Sequence, residues 1–216
     1  MQSDLQKSSY ALGVEYMKSL RKDDLALDQD NFVLGMNDAL NNQAIRLAPK
    51  DLQNALDGVF AERVRHNNKV AAANLLAGQA FLEANRHNPG VQRLPNGLQY
   101  KVLVDGKGNR KPSINDTVSV HYRIARLDGK ELFDTATQAA AVKVNNVIKG
   151  WQQALLLMPE GSKWQLYIPA ALAYGEAGAP NGRLGPNEVL IYDVELLGIK
   201  PALLARPDST PGQVAH

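Results

Sequence analysis

Apolar residues in the first part of this chain recur at helical spacing, and beyond Pro89-Gly90 they alternate. From Ser8 to Leu20 they fall at Leu12, Tyr16, Met17 and Leu20, with Ser8 or Ser9 able to cap a helix. Asp28 can cap a second helix with an apolar face of Phe32, Val33, Met36, Ala39 and Leu40, closed by Asn41-Asn42. A third begins at Pro49, a residue suited to a first helical turn, and can run to about Asn88. Its length of roughly 40 residues corresponds to about 60 Å. Its first half carries the stripe Leu52, Leu56, Val59, Phe60 and Val64. After Arg65-His66-Asn67-Asn68-Lys69 the pattern thins to Ala71-Ala72-Ala73, Leu75, Leu76 and Phe81. The first half therefore reads as a packing surface and the second as a solvated rod. Three helices, two of them short, make a small core for one chain, which self-association would enlarge. Met17 and Met36 fit either a gap-filling role or a dimer seam.

In the second part, Leu98, Tyr100, Val102 and Val104 share one face. Val118, Val120, Tyr122 and Ile124 share another, against Thr117, Ser119, His121 and Arg123. Asp128-Gly129 predicts a hairpin returning through Leu132-Phe133-Asp134. A strand around Trp164, Leu166 and Ile168 follows, then a last one from Val189 to Leu197 with Leu190, Tyr192, Val194 and Leu196 on one face. Between them, Val147-Ile148-Lys149-Gly150-Trp151 ends a strand at a glycine and opens a short helix with an indole. That order can place the ring at the floor of a concavity, where binding sites are ordinarily found. The fold class is α+β: a helical N-terminal part, then an antiparallel sheet wrapped on one short helix.

Composition narrows the chemistry. The 216 residues carry 24 basic and 22 acidic side chains, a net charge of +2 with no basic block, which argues against a nucleic-acid binder. There are no cysteines, so disulfides, thiol nucleophiles and Cys-ligated zinc are excluded. A cysteine-free chain suits an oxidising compartment without requiring one. His66, His87 and His216 show no metal-ligand pairing, and His121, opposite Tyr122, reads as exposed. No apolar run approaches the ~20 residues of a membrane span. No signal peptide opens the chain, and Met1-Gln2-Ser3 fits an initiator placed on a mature sequence.

Five ordered motifs then converge: Val118-Ser119-Val120-His121-Tyr122, Asp128-Gly129-Lys130-Glu131-Leu132-Phe133-Asp134, Val147-Ile148-Lys149-Gly150-Trp151, Ala173-Tyr174-Gly175 and Asp193-Val194-Glu195-Leu196-Leu197. Together they resemble the FKBP-type peptidyl-prolyl cis-trans isomerases over about Leu94 to Lys200. Ser9-Tyr10-Ala11-Leu12-Gly13, Asp38-Ala39-Leu40 and Pro95-Asn96-Gly97-Leu98-Gln99-Tyr100 extend the resemblance to the macrophage infectivity potentiator-like subgroup. The resemblance implies a helical dimerisation domain at 1–64, a connecting part of the long helix at 65–90, an isomerase domain at 91–200 and a flexible tail at 201–216. It implies a homodimer through the N-terminal helices and a periplasmic or outer-membrane location, a cytoplasmic one being the alternative. Its partners would be unfolded or partly folded Xaa-Pro-containing proteins and rapamycin-type macrolides, with no cofactor and no metal.

The same resemblance assigns the pocket. Trp151 would lie under the proline ring, with Tyr122, Phe133 and Tyr192 as walls and Val147 beside them. The Ile148 N–H and the Tyr174 hydroxyl would bind substrate carbonyls, and Asp134 would orient the site. Val142 stands where the family carries a pocket-wall Phe, and the segment from Thr135 to Val144 is short and Ala-rich. Leu184 would be a lid contact, while Arg183 replaces an aliphatic residue and Ala179 stands where some members have His. A more open site follows, since less apolar surface is buried there. The activity implied is acceleration of Xaa-Pro isomerisation. The alternative is a dimeric chaperone that holds clients, isomerisation being incidental.

Overall fold

The computed structural model describes residues 3–22, 25–135, 138–180 and 183–202. The first part of the expected tail, Pro201 and Ala202, falls within them; 203–216 and Met1-Gln2 lie outside. The chain divides into two compact units with the boundary between Ala72 and Ala73.

The N-terminal unit contains α1 (Asp4–Lys22), α2 (Gln29–Leu40) and the start of α3 (Pro49–Asn85). The Asp28 carboxylate accepts from the Asn31 N–H and caps α2; Asn41 closes it and Asn42 turns the chain at φ 51°. Tyr16 of α1 stacks on Phe32 of α2 with ring centroids 6.3 Å apart. Buried Asp38 receives Arg46 Nε at 2.7 Å and Nη2 at 3.2 Å, and this pairing lowers the Asp38 pKa. The loop after α2 is thereby folded back onto it. The stripe Leu52, Leu56, Val59, Phe60 and Val64, read as a packing surface, is exposed within the single chain.

The C-terminal unit is a seven-stranded antiparallel sheet with one helix on its concave face. Its strands are β1 (Val91–Arg93), β2 (Gln99–Val104), β3 (Thr117–Arg126), β4 (Glu131–Asp134), β5 (Ala140–Lys143), β6 (Lys163–Ile168) and β7 (Leu190–Lys200), with α4 (Lys149–Leu157) between β5 and β6. The order is β1-β2-β6-β7-β3-β4, and β5 also pairs with β3. Long β3 thus has an edge shared end to end: Thr117–Val120 faces β5, and Arg123–Ala125 faces β4. β5 went unread in the sequence because Ala-Ala-Val-Lys offers little β-forming side chain; backbone pairing to β3 creates it. Alternation along β7 turns Leu190, Tyr192, Val194 and Leu196 inward, where they join Leu98, Val118, Val120, Leu166, Ile168 and the α4 residues Trp151, Ala154 and Leu155 in one core.

The second half of α3 is not a solvated rod. Asn74, Gly78, Phe81 and Asn85 recur at helical spacing and face the sheet unit. Asn74 Nδ2 donates to the Pro186 carbonyl at 2.8 Å, Phe81 lies 5.8 Å from the Tyr167 ring, and Asn85 is buried with Nδ2 donating to Gln99 Oε1 at 2.9 Å. A Cβ on Gly78 would meet Val189 Cγ2 at 2.6 Å, so close approach requires glycine there. This face is polar and small, which is why a search for apolar spacing passes over it.

Candidate functional site

The inward alternation of β3 and β7 brings Tyr122 and Tyr192 side by side, and the short α4 delivers Trp151 beneath them. α4 can lie this close because Gly150 has no side chain; a Cβ would stand 2.4 Å from Ile168 Cγ2. The Tyr122 ring is 4.9 Å from Trp151, 5.4 Å from Phe133 and 6.4 Å from Tyr192, and Trp151 lies 5.4 Å from Tyr192. These are the separations of tilted and stacked aromatic pairs. Burial grades across the set: Trp151 and Tyr192 are 5% and 3% exposed, whereas Phe133 and Tyr174 are 44% and 38% exposed. The result is a buried aromatic floor with half-open walls.

Burial pushes the Tyr192 phenol pKa strongly up, and the neighbouring phenols of Tyr174 and Tyr122 add to it. The Tyr122 pKa rises through burial first and Tyr174 second. Tyr174 therefore lies near enough to the phenols of Tyr192 and Tyr122 to act on both. The Tyr122 and Tyr192 phenols keep their protons at neutral pH and can donate hydrogen bonds. The indole N–H of Trp151 is buried and has no hydrogen-bond partner among the described residues.

The remaining sequence-selected residues fall around this cluster. Ile148 is the N-cap of α4, and both it and Val147 are half-buried against the core. Val142 lies on β5 opposite Val118 and packs on the same core. Leu184 is buried at 8% exposure within the core, and its carbonyl accepts from the Ala179 N–H at 3.1 Å. It is a packed residue of the loop. Arg183, next to it, is exposed. Asp134 ends β4 as the cross-strand partner of Arg123 and is exposed, beside a polar groove it shares with His121, Arg123, Lys163, Asp193 and Glu195.

Two residues were misread or missed. His121 is half-buried rather than exposed, with Nδ1 2.9 Å from the Thr135 carbonyl oxygen. Thr135 is buried, and its hydroxyl accepts from the Tyr122 N–H at 2.8 Å and donates to the Tyr122 carbonyl at 3.2 Å. The end of β4 is thereby latched to the residue that carries a pocket wall. A hydroxyl directly after Phe133-Asp134 was the available signal. Among the described residues no group of three or more His, Asp or Glu could hold a metal ion, and no helix is long and apolar enough to cross a membrane.

Residues 108–197 match the family model of the FKBP-type peptidyl-prolyl cis-trans isomerase, and residues 5–102 match the domain amino-terminal to it. This chain belongs to the FKBP-type peptidyl-prolyl cis-trans isomerase family. It is 39% identical to the peptidyl-prolyl cis-trans isomerase Mip of Coxiella burnetii, over 93% of this chain and 89% of that one. It is 37% identical to the outer membrane protein MIP of Legionella longbeachae, over 93% and 88%. The crystal structure of FkpA from Escherichia coli superposes with a TM-score of 0.70 at 35% identity, covering 94% of this chain and all of that one.

Proposed function

We propose that the aromatic concavity around Trp151 catalyses cis-trans isomerisation of Xaa-Pro bonds in unfolded or partly folded proteins. Amide resonance sets a barrier of about 18–20 kcal/mol and gives the planar bond its charge separation. Twisting removes both, so the twisted amide is less polar than either isomer. A buried aromatic surface stabilises it selectively, which is catalysis by differential binding. The observation that carries this reading is the Trp151 ring, 5% exposed and flanked by Tyr122 and Tyr192 at 4.9 and 5.4 Å.

In this reading Trp151 receives the proline ring while Tyr122, Phe133, Tyr192 and Val147 confine it. Val142 and Leu184 complete the apolar surround, the Ile148 N–H and the Tyr174 hydroxyl bind substrate carbonyls, and Asp134 orients the rim. The family matches at 5–102 and 108–197 support reading 1–64 as a helical dimerisation part, 65–90 as the connecting part of α3 and 91–200 as the isomerase part. Exposed apolar side chains on α1, α2 and the start of α3 favour a homodimer through these helices. Similarity to the outer membrane protein MIP of Legionella longbeachae supports a periplasmic or outer-membrane location. A second reading, a client-holding dimer with incidental isomerisation, is favoured by a concavity of about 410 Å³ lined mainly by apolar residues, among them Met17, Leu27, Phe32 and Met36, with Arg21 and Gln29 beside them.

The test is turnover of a short Xaa-Pro peptide series by the full chain, with and without a rapamycin-type macrolide. Macrolide-sensitive turnover supports the pocket; a folded chain without turnover rejects it. Trp151→Leu should lower kcat/KM by at least ~tenfold, the order of effect of one lost aromatic contact and its buried area. If Tyr174→Phe abolishes turnover yet leaves suppression of client aggregation intact, both activities exist and reside in different surfaces.

A further inference from the structure

On the outward face of the sheet, Gln165 of β6, Asp193 of β7, Arg123 of β3 and Asp134 of β4 are successive cross-strand partners. The first three are also joined through their side chains. Gln165 Nε2 donates to Asp193 Oδ1 at 2.8 Å, while Arg123 Nε and Nη2 donate to Asp193 Oδ2 at 3.0 and 2.6 Å. Arg123 Nη1 lies 3.7 Å from Glu131 at the start of β4, and its guanidinium also feels the charge of Asp134 at the end. At the opposite end, the Tyr167 hydroxyl donates to Gln165 Oε1 at 2.6 Å. The Tyr167 ring contacts Phe81 of α3 at 5.8 Å. Gln99, the cross-strand partner of Tyr167, accepts from buried Asn85 and donates to the Leu82 carbonyl at 2.7 Å, both on α3.

The contacts therefore run unbroken from the last turns of α3, across β6, β7 and β3, to β4. β4 is the element that needs holding. It has four residues on a sheet edge, only three register pairs with β3, and a register shift between Ile124 and Ala125. It also carries Phe133, the half-exposed wall of the pocket. Two charge-assisted donors on one carboxylate oxygen fix a guanidinium far better than a single exposed ion pair. Arg123 held in this way presents its charge to both carboxylates of β4.

We propose that Asp193 is a positioning residue for the isomerase pocket, fixing Arg123 so that β4 holds Phe133 and Asp134 in place, with its own setting dictated through Gln165 and Tyr167 by the end of α3. Asp193 touches no substrate; it acts through Arg123 and β4. The proposal rests on the isomerase reading, and its test separates the two.

The experiment uses the full chain and the variants Asp193→Asn, Arg123→Lys, Arg123→Gln and Tyr167→Phe, assayed well below their unfolding temperatures. Two readouts are taken: kcat/KM on a short Xaa-Pro peptide, and the amide resonances of Phe133 and Asp134. Asp193→Asn and Arg123→Gln should each lower kcat/KM about three- to tenfold, with Arg123→Lys recovering part of the loss. Tyr167→Phe lies at the far end of the row, yet it should shift the Phe133 and Asp134 resonances. Its effect on kcat/KM should be non-additive with that of Asp193→Asn. Stationary Phe133 and Asp134 resonances in Tyr167→Phe overturn the proposal. So does unchanged kcat/KM in Asp193→Asn and Arg123→Gln while the parent turns over normally. A parent without turnover refutes the isomerase reading instead, and the resonances still decide whether the row positions β4.

Discussion

In the sheet unit Leu98, Leu155, Leu166, Ile168, Leu190 and Leu196 are fully buried, while in the helical unit Leu12, Leu40 and Phe60 are 72%, 80% and 55% exposed. The two units are built from similar proportions of apolar residue but from different contacts. Strands pair with partners distant in sequence, so β3 meets β7 across some 70 residues and the sheet closes on α4 within one chain. Three helices with little between them cannot surround their own apolar stripes. The sheet unit completes a core by itself; the helical unit presents apolar helix faces that only another surface can cover. Catalysis belongs with the unit that is complete, because a pocket that binds a twisted amide needs walls fixed before substrate arrives.

The sharpest way to break this contrast is to place charge on the exposed helix faces. Tyr16→Glu and Phe32→Glu, introduced together in the full chain, replace a stacked aromatic pair by two carboxylates. If these faces are the seam of a homodimer, dissociation should strengthen by a factor on the order of 10²–10³, the scale of two interface anchors. Sedimentation at micromolar concentration should move from dimer to monomer, with kcat/KM on a short peptide unchanged. A parent chain that already sediments as a monomer removes the dimer from the contrast altogether.

The sheet unit should instead show stability that does not depend on protein concentration, and Asp116 gives a handle on it. This buried carboxylate accepts from the Ser113 N–H at 2.8 Å and the Ala202 N–H at 3.0 Å, and its backbone carbonyl receives the Val144 N–H at 3.0 Å. These amide donors hold its pKa below the ordinary aspartate value. A depressed folded pKa contributes stability above the unfolded pKa of about 4, and the contribution is lost as pH falls through the folded value. Asp116→Ala should cost about 1.5–3 kcal/mol near neutrality, as for hydrogen bonds to a charged group. The gap between parent and variant should stay constant from about pH 5 to 8 and narrow below about pH 4. A gap that is constant down to the acid limit contradicts the assignment.

How far the sequence disclosed all this depended on whether a contact is carried by an apolar side chain. Tyr122, Tyr192 and Trp151 announce themselves through alternation and through the glycine before the indole, and the structure gathers their rings within 6.4 Å. Asp28 and Asn41-Asn42 mark the ends of α2 because capping is local chemistry. β5 does not announce itself, since its pairing is made by backbone and its side chains are alanine, valine and lysine. The seat of α3 was hidden for a related reason. Asn74, Gly78 and Asn85 dock through amides and through the lack of a side chain, which hydrophobic spacing cannot register. Leu184 was singled out only through the family resemblance, and its burial in the core is a product of three-dimensional packing that no local pattern announces.

The smallest effect sharpens the contrast from inside the pocket. Val142 lies on β5, half-buried, opposite Val118 and packed on the same core as Trp151. Immediately before β5 the chain leaves β4, whose Phe133 is 44% exposed. A larger side chain at 142 can therefore extend the apolar wall without entering the fully buried core. Val142→Phe adds apolar area worth about 1 kcal/mol if roughly 40 Å² of it is covered by substrate. The expected outcome is a fall in KM of about fivefold with kcat little changed, since a wall contact made equally to planar and twisted amides is uniform binding. Should kcat rise instead, the wall at 142 discriminates in favour of the twisted amide, and β5 belongs to the catalytic surface rather than to its margin. Should the variant lose stability by more than about 1–3 kcal/mol, the side chain is overpacking the core. The half-burial of Val142 would then mark a closed wall, and the openness inferred from its small size would be wrong.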